Sequence, residues 1–441
     1  MSESIKKVVK FGGSSLASAE QFRKSAAIVL AEESRRYVVP SAPGKRFPED
    51  EKVTDMLLDC HRLASEGQDF SARLAAVRER YEQIRGGLGL AVSLDEAFAA
   101  IEENLRRGYS RDYAASRGED LNGILLAFYL GYAFIDAAEV VFFDANGVFD
   151  GDRTNRVMGE RLAQARNAVI PGFYGALPDG SVKTFSRGGS DVTGAIVARA
   201  VMADLYENWT DVSGFLMADP RIVREPQPIK LITYRELREL SYMGATVLHE
   251  DSIFPVKLAG IPINIRNTNR PSDPGTMIVP SADSYGESVV TGIAGKKGFA
   301  VVHIEKDMMN QELGFGMRVL QVLNDMGLCF EHLPSGIDTM GVVLDEKAIS
   351  GKERDILAAI AEATEPDHIE IEKGLSLIAV VGRGMIKTPG TASRVFTAVA
   401  RAGINIRMID QGSSELNIIL AVDERDFERA IDTIYREFVH A

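Results

Sequence analysis

The chain is poor in cysteine and histidine, with two and six, and its 50 basic side chains are outnumbered by 63 acidic ones. Two cysteines exclude a disulfide framework. Cys60, in a helical pattern, and Cys329, in a strand, read as small buried hydrophobes. The histidines are scattered without ligand spacing, so no structural metal site is expected. A net charge of −13, with no basic stripe interleaved with aromatics, argues against nucleic acid. No apolar run approaches the ~18 residues that span a bilayer, and Met1–Lys10 lacks the apolar core of a signal peptide. What these absences leave is a cytoplasmic globular protein. Its 441 residues, 45% of them apolar, bury more than one core, and length alone gives a prior of roughly three domains.

What the chain does have is a pair of glycine-rich turns. Lys10-Phe11-Gly12-Gly13-Ser14-Ser15 follows the short apolar strand Lys7–Val9, and Ser186-Arg187-Gly188-Gly189-Ser190-Asp191 answers it later. Adjacent glycines let bare backbone N–H groups approach an anion, and flanking hydroxyls add donors. Lysine suits a phosphoryl group as a compact point charge, whereas arginine's planar fork matches a carboxylate. Phosphate at one end and a carboxylic acid at the other is the reading. The first turn is neither a Walker loop nor a dinucleotide fingerprint. A third segment, Asn208–Gly214 followed by Ala218–Arg221, again places a strand before a polar turn and a base.

Strands and helices alternate. Val8–Phe11, Tyr37–Pro40, Ala138–Phe143, Asn167–Pro171 and Leu205–Trp209 read as short buried strands. Asp55–Ala64 and Thr193–Met202 read as helices between them, and Met56, Leu57, Cys60 and Leu63 form a core stripe. This is an α/β layout with a largely parallel sheet over residues 1–285, closed by the turn-rich Arg266–Pro280. The remainder repeats with a period of about 76 residues: Gly298 falls on Gly374, Gly314 on Gly390, Gly327 on Gly403 and Gly336 on Gly412. Each copy, over 286–373 and 374–441, reads strand, helix, strand, strand, helix. Phe315, Val319, Leu320 and Leu323 make one apolar helix face in the first copy.

The two glycine turns, together with Ser116–Asp120 and Trp209–Arg221, resemble the motifs of aspartate kinase, in the amino-acid kinase superfamily, in order and across almost the whole chain. The repeat resembles a pair of ACT domains, the ferredoxin-like α+β modules that sense amino acids; in the family the second is inserted into the first. The resemblance implies an amino-acid kinase fold followed by two ACT modules. It implies MgATP-dependent phosphorylation of the β-carboxylate of L-aspartate, the first step towards lysine, threonine and methionine. It also implies a homodimer formed through the ACT modules.

Carried over by this resemblance, Lys10 bridges ATP and the β-carboxylate, and Asp191 orients the cations around the phosphates. Arg187 holds the α-carboxylate and Glu119 the ammonium group, while Ser41, Thr54 and Ser190 stand near the substrate. Phe11, Gly12, Gly13 and Ser14 line the phosphates, with Thr210, Asp211 and Arg221 at ribose and phosphate. Asp191 also reads as a helix N-cap. Magnesium arrives with the nucleotide, held by phosphate oxygens and water. Gly314, Phe315, Glu331, Ser335 and Asp338 occupy the effector positions, and the acids favour lysine, with threonine as the other family effector.

Two departures stand out. Leu216 replaces a common tyrosine, and Thr246 replaces a phosphate-contacting lysine, whose charge must then come from Lys230, Lys257 or Arg266. The stretch Pro43–Pro48 lengthens the loop between Ser41 and Thr54. Because the chain stops after the repeat, a monofunctional enzyme is expected, without a homoserine dehydrogenase domain. A different amino-acid kinase, such as glutamate 5-kinase, and a non-catalytic amino-acid-binding regulator are the alternatives.

Overall fold

The computed structural model describes residues 5–186, 188–245, 253–282 and 289–439. The chain divides into two compact units, one of residues 1–215, 228–234 and 246–282, the other of 216–227, 235–245 and 283–441.

Among the described residues ten strands belong to the first unit: β1 (Lys7–Phe11), β2 (Arg35–Pro40), β3 (Ala133–Phe134), β4 (Ala168–Val169), β5 (Tyr174–Ala176), β6 (Val182–Thr184), β7 (Leu205–Thr210), β8 (Leu231–Thr233), β9 (Ile263–Asn267) and β10 (Thr276–Val279). Eight form one sheet in the order β3-β4-β2-β1-β7-β9-β10-β8; β5 and β6 make a separate hairpin. Only the β9–β10 pair in the large sheet is antiparallel. The chain leaves β1 towards β2 on one side and reaches β7 on the other. The carboxyl ends of β1 and β7 therefore flank a topological switch point, where open α/β sheets take their ligands.

Burial on both faces explains the near-continuous apolar runs. Val8, Val9 and Phe11 are buried, and Phe11 stacks on Trp209 with centroids 6.3 Å apart. The helices Val53–Ser65, Ser71–Leu88, Asp95–Arg106 and Arg111–Leu130 pack into the same core through Leu57, Val77, Phe98 and Leu121. One expected strand is absent: Ala138–Phe143 begins as a short helix, Ala137–Val140, because the Asp136 side chain caps it by accepting from the Ala138 N–H. Arg266–Pro280 is less turn-like than its prolines imply, since β10 lies within it.

The second unit holds one antiparallel sheet: β11 (Gly292–Glu305), β12 (Thr339–Asp345), β13 (His368–Val381), β14 (Ile406–Asp410) and β15 (Asn417–Asp423), in the order β12-β11-β13-β15-β14. The internal repeat reappears in the backbone. Gly298 and Gly374 have φ of 89° and 75°, Gly314 and Gly390 have 77° and 86°, and Gly327 and Gly403 have 66° and 67°. Gly314 and Gly390 each precede a helix, Phe315–Asp325 and Thr391–Arg401. Such angles strain any residue with a Cβ, which is why the repeat is most visible in glycine.

Both long strands serve both copies. Phe299–Glu305 of β11 pairs with β12 and with His368–Leu375, whereas Gly292–Lys297 pairs with Ser376–Val381. Residues 292–297 thus extend the sheet of the second copy although they lie within the bounds of the first. In the first copy the expected middle strand is reduced to isolated bridges, His332 with Val343 and Ser335 with Met340. Cys60 is buried as expected, but Cys329 is exposed and lies outside the strands, just beyond the helix Phe315–Asp325.

Candidate active site

β1 delivers Lys10 and the glycine turn to the switch point. Beyond Phe11 the chain turns sharply, and the Gly12 N–H donates to the Trp209 carbonyl at 3.0 Å, tying the turn to β7. Gly13 has to be glycine, because a Cβ there would lie 2.9 Å from the Ala42 carbonyl oxygen and 3.1 Å from the Gly44 Cα. The loop after β2 therefore rests directly on the turn.

The buried Lys10 ammonium sits 2.6 Å from Asp191 Oδ1. Asn208, its register partner on β7, completes a triangle: its amide donates to Asp191 Oδ1 at 2.7 Å and its oxygen accepts from Lys10 Nζ at 3.4 Å. Asp191 does not cap its helix. The cap is Gly188, with φ 56°, and Asp191 stands in the first turn of Gly189–Ala200, its carboxylate turned to Lys10. Ser190 is buried against Gly172, where a Cβ would come within 2.7 Å of its hydroxyl. A cation fixed by a carboxylate and an amide can stabilise charge developing nearby without reorganising.

Glu119 faces the loop after β2 from the helix Arg111–Leu130. It is 6% exposed, its carboxylate accepts the Ala42 N–H, and its Oε2 has no hydrogen-bond partner. Burial pushes its pKa up to about 8. A buried carboxyl with one idle oxygen is costly for the protein alone and suits a cationic ligand group. Its sequence neighbours are otherwise engaged: Arg117 bonds Asp120 at 3.0 Å and stacks between Tyr113 and Tyr174. Ser41 is held at both backbone groups, its N–H to the Phe11 carbonyl and its carbonyl to the Asn122 amide. Thr54 is the second residue of the helix Val53–Ser65, half-buried.

Thr210 ends β7 and Asp211 follows it, beside the end of β9. The Thr268 N–H donates to the Thr210 carbonyl at 2.9 Å, and the Asn267 amide to the Asp211 carbonyl at 3.2 Å. Ser15 joins this cluster through Thr268, hydroxyl to hydroxyl at 2.8 Å. Arg221 belongs to the second unit, where it is exposed and forked onto Asp219. Arg187 and Thr246 lie outside the described residues. Of the cations proposed to replace the lysine at position 246, Arg266 is committed elsewhere: it lies over the Trp209 ring at 4.6 Å and donates to the Pro271 carbonyl. Sequence reasoning missed Asn208, Thr268 and the Ala42 N–H. A polar Asn208 in an otherwise buried central strand was the available signal.

Residues 6–267 match the model of the amino acid kinase family, and residues 378–438 match an ACT domain model. Aspartokinase 3 of Bacillus subtilis (strain 168) is 41% identical over 98% of each chain. The chain belongs to the aspartokinases. The crystal structure of the aspartate kinase of Clostridium acetobutylicum is 49% identical, with a TM-score of 0.90 over 99% of this chain and all of that one. E. coli aspartokinase III, solved with aspartate and ADP, shares the fold at 24% identity and a TM-score of 0.73, over 98% of this chain and 99% of its own. The same enzyme has been solved with lysine and aspartate, at 24% identity and TM-score 0.72, over 99% and 100%.

This aspartokinase transfers a phosphoryl group from ATP to aspartate, on a mixed α/β kinase fold followed by an antiparallel ACT region. No helix among the described residues is long and apolar enough to cross a membrane. In the ACT region, Phe315 is buried in the first copy's core with Val319 and Leu323, so its ring faces the core. Glu331 accepts from the Tyr242 hydroxyl and pairs its N–H with the Val343 carbonyl. Asp338 accepts the Met308 N–H at 2.9 Å, and Ser335 is exposed.

Proposed function

We propose that Lys10, fixed by Asp191 and Asn208, neutralises the phosphoryl group in flight, and that Glu119 receives the ammonium group of aspartate. The observation that carries this is the idle, buried Glu119 oxygen across the Ala42–Gly44 loop from the glycine turn. The backbone of Gly12, Gly13 and Ser14 cradles the phosphates, with Phe11 as their floor. Arg187 clamps the α-carboxylate, while Ser41, Thr54 and Ser190 shape the amino-acid side. The attacking β-carboxylate is already ionised and needs no general base, so the protein's work is positioning and charge. Thr210 and Asp211 hold ribose and phosphate.

Among the described residues no three His, Cys, Asp or Glu side chains converge as a metal cage, and the carboxylate beside Lys10 is a single one. That donor set fits Mg2+ carried on the nucleotide by phosphate oxygens and water, where the ion offsets phosphate charge. We further infer that the ACT region consists of two interleaved modules, forms a homodimer and takes lysine as feedback effector, with threonine second, near Gly314, the backbone at Phe315, Glu331, Ser335 and Asp338. The enzyme acts in the cytoplasm.

A coupled assay comparing aspartate with glutamate, on wild type and Arg187→Ala, tests the site. Aspartate should be strongly preferred, and Arg187→Ala should raise the aspartate KM while leaving that for ATP nearly unchanged. An equal rise for ATP would move Arg187 to the nucleotide.

A further inference from the structure

We propose that Lys45 binds the terminal phosphate of ATP, a role that rests on reading the Gly12–Ser14 turn as the phosphate cradle. The lengthened loop after β2 does not stand away from that turn. Its Gly44 N–H donates to the Gly13 carbonyl at 2.8 Å, and a Cβ on Gly44 would lie 2.7 Å from the Gly13 carbonyl carbon and 2.8 Å from the Ser14 nitrogen. Backbone touches backbone there. Lys45 is the next residue, its Cα ~3.8 Å along the chain, on a flexible four-carbon stem.

The two adjacent cations of this loop are used differently. Arg46 is consumed by Asp50, which accepts from its backbone N–H at 2.9 Å and from its Nε at 2.8 Å and Nη2 at 2.9 Å. Asp50 also takes Arg80 Nη1 at 2.9 Å, and these contacts, Arg46's first, hold its carboxyl well below the usual range. Arg80 is 5% exposed, and its Nη2 pins the Gly44 carbonyl at 3.0 Å. Burying such a cluster is expensive, and what it secures here is the position of Gly44 over the turn.

Lys45 is exposed, and its one hydrogen bond among the described residues goes to a neutral acceptor, the Pro48 carbonyl, at 3.1 Å. A lysine without a carboxylate, in a chain with 63 acidic side chains, on a loop fixed against an anion-binding turn, is set to meet a phosphate.

The test compares wild type, Lys45→Met and Lys45→Arg, full-length, for equilibrium binding of ADP and of a non-hydrolysable ATP analogue with magnesium, and for turnover. Lys45→Met should weaken the analogue at least about tenfold while leaving ADP within about twofold, lower turnover by a similar factor, and keep the wild-type Tm. Lys45→Arg should recover much of the loss. Unchanged analogue binding in Lys45→Met overturns the proposal. So does equal weakening of analogue and ADP with a lowered Tm, which would make Lys45 part of the loop's structure. Lys10→Ala, run alongside, separates the two levels: wild-type turnover in that variant would refute the phosphate cradle itself, and the Lys45 assignment with it.

Discussion

Aspartate binding should release a proton, and the source is Glu119. In the ligand-free enzyme burial raises this carboxyl from 4.5 to about 8, so at pH 7 about 0.9 of the molecules carry it protonated. An ammonium group placed against the idle Oε2 supplies the missing counter-charge and ionises it. Calorimetry at pH 7 in buffers of different ionisation enthalpy should therefore count close to one proton released per aspartate, falling towards zero above about pH 9. Glu119→Gln should bind aspartate weakly and release none. The same shift has a consequence for stability. A carboxyl whose folded pKa lies above its unfolded value binds more protons in the native state, so its effect on stability declines as pH rises from 4.5 to about 8 and is flat beyond. The full span corresponds to roughly 5 kcal/mol at most, and Glu119→Gln should flatten that slope in ligand-free enzyme. A proton count of zero at pH 7 would refute the reasoning, because it would mean that Glu119 is ionised before the substrate arrives.

Lys10→Ala should cost about 3 kcal/mol of transition-state stabilisation, roughly 100-fold in kcat, with a smaller change in aspartate or ATP affinity, as steady-state kinetics will show. Arg383→Met removes the guanidinium that holds buried Glu236 at 2.8 Å, and should lower stability by about 3–5 kcal/mol in denaturant titration. Gly44→Ala drives a methyl group into the Gly13 backbone, so turnover should fall sharply while the far-ultraviolet circular dichroism stays that of wild type. Lysine titration, alone and with threonine, should inhibit with about 1–3 kcal/mol of coupling, and Asp338→Ala should relieve it at normal basal turnover.

Much of this enzyme was legible before any coordinates. Glycine pairs, the run of buried strands and the 76-residue echo of Gly298, Gly314 and Gly327 are local: they reflect backbone conformations that only glycine adopts cheaply, and apolar runs that only two-sided burial explains. The tertiary structure decided what local chemistry cannot encode. Locally Asp191 reads as a helix cap, and only the family resemblance set it among the cations; in the structure its carboxylate pairs with Lys10, some 180 positions earlier, because the helix Gly189–Ala200 packs beside β1. The raised pKa of Glu119 follows from burial, and burial is a property of everything packed around a residue. Residues 292–297 read as part of the first ACT copy but pair with the second, since strand pairing joins segments about 85 residues apart that no sequence window spans.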